Sequence, residues 1–263
     1  MFRAQTHVSC DLLSLFSGNG RRIVAVIEAY IDESQKPLLG RQLYAVSGFF
    51  GTHEQWQRFG EIWQSVLDAT EIAYYHGKDP KCDKLRAPMI SAIRASGIQG
   101  LTASLWRDEF AKGGHALKSV IGNHYAFQAL WMALTIRTWA KQNGHGPIAY
   151  ILEDGQPNIE HVLRMIRTEI GADAAAVACA GKRDFIGLQA ADFLAHHTAA
   201  MDVGLAWVTQ LLGEGPGCVK WGNLDPKDLD VLSRKMEDHQ RQRRRHKSQA
   251  KRERRAAKAR GGG

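Results

Sequence analysis

The side chains able to do chemistry gather at a few points of the chain. Asp32 and Glu33 close the β-prone run "AVIEAYIDES". His76 and Asp79 sit in "YYHGKD", and Glu153 and Asp154 in "YILEDG". Asp192 lies in "LQAADFLAHH", an apolar helical stretch where an ionised carboxylate is expensive unless it is paired. Carboxylates that meet from separate segments repel one another, so they take up protons or collect a cation. Hard oxygen donors without thiolates favour Mg2+ or Mn2+. Two such ions roughly 4 Å apart clamp the attacking and leaving oxygens of a phosphodiester. His76 would then carry a proton or add a ligand.

Each position also has a plain structural reading. Asp32, Glu33 and Ser34 precede Pro37 and Gly40 and read as solvated turn chemistry. His76 reads equally as a structural histidine, and Asp79 as an N-cap ahead of "PKCDKLRAP". A salt bridge to Lys182 or Arg183 would satisfy Asp192. Alternation along a strand sends only one of each adjacent acid pair to a given face, which favours Asp32 over Glu33 and Glu153 over Asp154. His196 and His197 are assigned to the surface, and Trp56, Trp63, Trp131 and Trp139, at helical intervals, to the core.

The elements that must position these groups follow from periodicity and punctuation. "RIVAVIEAYID" predicts a strand, "QKPLLGR" a turn and "QLYAVSGFFG" a second strand in a hairpin with the first. Thr52 caps a predicted helix, "THEQWQRFGEIWQSVLDA". "EIAYYHG" predicts a short third strand ending at His76, "KCDKLRAPMISAIRASG" a helix and "IQGLTASLWR" a strand. A long apolar helix from His115 closes at Asn143-Gly144. "PIAYILEDG" and "AAAVACAG" predict strands around the helix "NIEHVLRMIRTEIG", and "DFIGLQAADFLAHHTAAM" a last helix. Alternation of strands and helices after an opening hairpin gives an α/β fold with a mixed sheet flanked by helices. Residues 23–212 form the expected domain, after a disordered extension over 1–22. An irregular and helical segment follows over 213–240, then a basic tail over 241–263.

"YIDES", "YHGKD", "YILEDG" and "LQAADFLAHH", in that order, resemble the bacterial family labelled domain of unknown function 3800, over roughly residues 25–200. The resemblance implies a ribonuclease H-like fold with an acidic, nuclease-type metal centre. Its metal ligands would be Asp32, Glu153 or Asp154, and Asp192, with His76 and Asp79 in the family's His-x-x-Asp-like stretch. The carboxylate that such a fold usually carries on its first helix has no match here, and Asp79 is the expected substitute.

Composition bounds the partners. Residues 241–260 carry 11 Lys/Arg and one Glu, so the rest of the chain is close to neutral within a total of +8. A tail this cationic binds phosphate without reading sequence. The expected nucleic-acid contacts are Arg241, Arg243, Arg244, Arg245, Lys247, Lys251, Arg252, Arg254 and Arg255. Cys10, Cys82, Cys179 and Cys218 form no CxxC pair, which argues for reduced thiols and a cytoplasmic setting. No apolar run approaches the ~20 residues of a membrane span. The sequence thus predicts a divalent-metal-dependent nuclease acting on DNA or RNA, with a non-catalytic nucleic-acid-binding protein as the alternative.

Overall fold

A computed structural model describes residues 27–112, 122–156, 158–200, 205–213 and 215–223, with Arg234, Asp238, Arg241, Arg245, Ser248 and Gln249. The predicted extension over 1–22 lies outside the described residues.

Strand β1 (Ile27–Leu38) and strand β2 (Arg41–Gly51) pair antiparallel along their whole length. The connection is two residues long, Leu39 and Gly40, both at positive φ (51° and 73°). That is the backbone a tight hairpin needs to match the twist of its strands. β1 therefore does not end at Asp32 and Glu33 but runs on to Leu38. Pro37 is tolerated inside it because β1 pairs with its other neighbour only as far as Ile31.

Helix α1 (His53–Thr70) starts with a reciprocal capping box between Thr52 and Gln55. A 3-10 turn (Pro80–Leu85) leads into α2 (Arg86–Ser96), followed by β3 (Gln99–Trp106) and the short α3 (Arg107–Lys112). Helix α4 (His124–Gln142) is capped by Asn123, whose Oδ1 accepts from the Ala126 N–H at 2.7 Å. It begins later than the apolar pattern predicts, and residues 113–121 lie outside the described residues. Then come β4 (Ile148–Glu153), α5 (Ile159–Ile170), β5 (Ala174–Ala180), α6 (Ile186–Ala199), α7 (Leu205–Val208) and β6 (Val219–Asn223).

The sheet order is β5-β4-β1-β2-β3-β6. Only β2 runs against the other five. Two expectations are corrected. "EIAYYHG" is not a strand: it pairs with none of the six described strands, and the Tyr75 N–H donates to the Gln189 side chain instead. The segment expected to be irregular and helical contains β6, which extends the sheet by pairing parallel with β3.

Helices cover both faces. Ile27, Ala29 and Ile31 of β1 pack with α4 and α5 in one core. Tyr30 packs with α1, α2 and α6 in the other. α6 lies directly on β1 and β2, and every one of its residues is buried. Gly187 permits this approach, since a Cβ there would stand 2.4 Å from the Tyr30 ring. Trp56 and Trp63 are buried, and Trp131 and Trp139 pack half-buried against the first core. The described cysteines, Cys82, Cys179 and Cys218, are free thiols.

Candidate functional site

β1 and β4 are parallel neighbours whose pairing ends at Ile31 opposite Leu152. The next residues, Asp32 and Glu153, therefore stand side by side at the carboxyl end of that pair. This is where ligands bind in open α/β sheets. Ala180 of β5 is opposite Glu153. Just beyond it the chain turns through Gly181–Asp184, closed by the Asp184 N–H donating to the Gly181 carbonyl at 3.1 Å. The turn puts Lys182 over the strand ends. From above, α6 lowers Asp192 into the same space.

Four charged side chains thus meet. The Lys182 ammonium lies 3.1 Å from Asp32 Oδ2, 2.8 Å from Glu153 Oε1 and 3.0 Å from Asp192 Oδ1. Asp32 is 0% exposed and Lys182 11%. Glu153 is the more open member at 17%. Asp32 Oδ1 accepts from the Glu33 N–H at 2.7 Å. Its Oδ2 is buried and meets the Lys182 ammonium as an ion pair. Asp192 is better served: its Oδ2 accepts from the Gly77 N–H at 2.7 Å and meets His76 Nδ1 at 3.2 Å.

The proton affinities diverge accordingly. Burial, and then a hydrogen bond shared with the Glu153 carboxyl, drive the Asp32 carboxyl well above its ordinary value against the pull of Lys182. Burial also works to raise Asp192, but His76, Lys182 and the Gly77 N–H together hold it below the usual carboxylate range. Burial works against the charge of Lys182, yet Asp32, Asp192 and Glu153 hold its pKa above the ordinary lysine value.

The predicted ligands Asp32, Glu153 and Asp192 are brought together, and His76 stands beside them. Asp154 is exposed, and its N–H continues the ladder to Ala180. Glu33 lies outside the ring of ion pairs. Of the two readings of Asp79, the structure shows the cap: its Oδ1 accepts from the Lys81 N–H at 2.9 Å at the start of the 3-10 turn. His196 and His197 are corrected. Both are buried because α6 is enclosed on every side, with His196 Nε2 3.3 Å from Lys36 Nζ and His197 Nε2 3.5 Å from the Tyr75 hydroxyl. Of the tail cations, Arg241 and Arg245 are helical and exposed. Arg243, Arg244, Lys247, Lys251, Arg252, Arg254 and Arg255 lie outside the described residues.

Sequence reasoning missed the role of Gln189. Its Oε1 accepts from Trp63 Nε1 at 3.0 Å and from the Tyr75 N–H at 2.8 Å, and its Nε2 donates to the Lys182 carbonyl at 3.2 Å. One buried amide thus ties α1, the His76 loop and the Lys182 turn together. Its place on the face of Asp192 in an apolar helix was the available signal.

A cleft of about 330 Å³ opens beside the centre, lined by Tyr74, His76, Glu153, Lys182, Arg183 and Asp184. Among the described residues no group of three or more His, Cys, Asp and Glu is arranged to hold a metal ion as the side chains lie. The ammonium between the acids holds them at ion-pair separation. The donor set nonetheless fits a hard divalent ion: three carboxyl groups already surround one cation. No family model matches the chain, and a comparison with curated proteins finds no match.

Proposed function

We propose that this chain is a divalent-metal-dependent phosphodiesterase acting on nucleic acid, with a ribonuclease H-like arrangement of its sheet as in the domain of unknown function 3800 family. One observation carries the reading: Asp32, Glu153 and Asp192, from β1, β4 and α6, all lie within 3.1 Å of one nitrogen. Asp32, Glu153 and Asp192 would hold Mg2+ or Mn2+. The bound ion would supply Lewis acidity toward a phosphoryl oxygen. His76 is fixed through Nδ1 by Asp192, which leaves Nε2 to pass a proton in the cleft. Arg183 on the cleft wall presents a cation to the phosphates. The basic tail would raise the local concentration of a polyanion, and a cytoplasmic setting accords with the free thiols. Among the described residues no helix is long and apolar enough to cross a membrane.

The test is cleavage of DNA and RNA with Mg2+ or Mn2+ by the purified protein and by Asp32→Asn and Asp192→Asn. The reading expects cleavage by the parent alone; a variant that cuts as well as the parent removes the site assignment.

A second reading rests on Lys182. An ammonium that already pairs with all three acids suits a non-catalytic nucleic-acid-binding protein with a structural ion cluster. A melting temperature unmoved by millimolar Mn2+ would favour it, because a native-state ligand must stabilise.

A further inference from the structure

We propose that Lys182 is a tethered cation that occupies the divalent-ion position and gives way to the ion, its ammonium then moving into the adjoining cleft. This deepens the metal-centre reading and rests on it.

The geometry gives three grounds. First, one nitrogen stands 2.8 to 3.1 Å from all three carboxylates, the point equidistant from the donors that a bound ion would take. The metal and the ammonium are therefore mutually exclusive there. Second, the position is incompletely served by the ammonium. Three carboxyl groups share one ammonium, so the fully buried Asp32 and its two neighbours divide a single positive charge among them. A divalent ion brings more charge and bonds each oxygen at about 2.1 Å without needing a donor direction. Third, Lys182 is placed to leave. It belongs to the turn Gly181–Asp184 rather than to a helix or strand, and its carbonyl is anchored by Gln189 Nε2 at 3.2 Å. The main chain stays fixed while four side-chain torsions swing the ammonium toward Tyr74, His76 and Arg183 in the cleft. There it faces the space a phosphate would enter.

The lysine thus keeps three acids folded together without metal and weakens metal binding by competition. Calorimetric titration of the full chain with MnCl2 tests this. Lys182→Gln should bind Mn2+ at least tenfold more tightly than the parent, and Lys182→Arg no more tightly than the parent. A measurement on the parent alone guards against a variant that fails to fold. Amine-reactive labelling read by mass spectrometry should rise severalfold at Lys182 on adding Mn2+, with exposed Lys112 unchanged. Mn2+ binding by the parent with no gain in Lys182→Gln and no change in labelling would overturn the displacement while leaving the metal centre standing. No Mn2+ binding by the parent or by Lys182→Gln would remove the metal centre and the displacement together.

Discussion

β1 buries two carboxylates on one face, Glu28 near its start and Asp32 where it parts from β4, and their surroundings differ. Glu28 accepts from the Tyr30 hydroxyl at 3.0 Å and pairs with His53 Nδ1 at 2.9 Å. Each Glu28 oxygen thus has its own directed bond. Asp32 has two further acids as neighbours and shares one ammonium with them. Both carboxylates are almost wholly enclosed, so burial does not distinguish them. What does is whether the charge is answered by fixed hydrogen bonds or by a single cation that something else could replace. The first is a structural acid. The second is a place where a ligand can act.

The sharpest way to break this comparison is through activity. Asp32→Asn or Asp192→Asn should lower metal-dependent cleavage by on the order of 10³-fold, since several kcal/mol of charge stabilisation is lost. Glu28→Gln should stay within a few-fold of the parent. Equal losses at Glu28 and Asp32, measured by single-turnover cleavage, would erase the distinction.

Stability gives the next largest contrast. Lys182→Met leaves three carboxylates without their cation, and removing one partner of a buried ion pair costs about 3–5 kcal/mol. Glu28→Gln loses charge but keeps most of its bonds, at about 1–2 kcal/mol. Urea denaturation should rank them in that order, and Mn2+ should restore the lysine variant alone.

An acid titration separates the centre from the buried histidines beneath it. Burial, aided by Lys36, pushes His196 down to about 4, and burial, aided by His196, pushes His197 down to about 3. Folded values below the unfolded one mean that the unfolded chain takes up protons first. The stability they confer is complete above pH ~6.5 and is lost as pH falls toward the folded values, at up to about 1.4 kcal/mol per pH unit for each residue. Asp192 acts at lower pH. Its depressed value gives stability that is present above the ordinary aspartate range and lost below it. The difference in unfolding free energy between the parent and His197→Gln should therefore shrink between pH 6 and pH 4. Parallel curves would contradict this placement.

Gln189→Leu should cost about 1–3 kcal/mol, because it strands the Trp63 and Tyr75 donors. It should also slow cleavage by loosening the His76 loop and the Lys182 turn. The smallest effect belongs to deletion of residues 241–263. It should weaken binding to long nucleic acid and flatten its salt dependence, leaving turnover on a short substrate unchanged.

Much of this was legible in the sequence because it is local. The Thr52 cap, the hairpin and the acid that ends β4 at 153 follow from residue type and spacing, whereas β1 runs on past Asp32 to Leu38. Asp192 was legible because an apolar helix has no use for an unpaired acid. The rest depended on tertiary placement. "EIAYYHG" has strand composition, but the sheet gives it no neighbour. Hydropathy sends His196 and His197 outward, yet α6 has no outward face. Lys182 could be named as a partner of Asp192, but only the parallel pairing of β1, β4 and β5 puts it within reach of all three acids at once.

The most direct measurement is anomalous scattering from a Mn2+-soaked crystal. The account predicts a peak between Asp32, Glu153 and Asp192, about 2.1 Å from a carboxylate oxygen of each, with the Lys182 ammonium swung out into the cleft. A centre without manganese, in which Lys182 still touches all three acids, would contradict it.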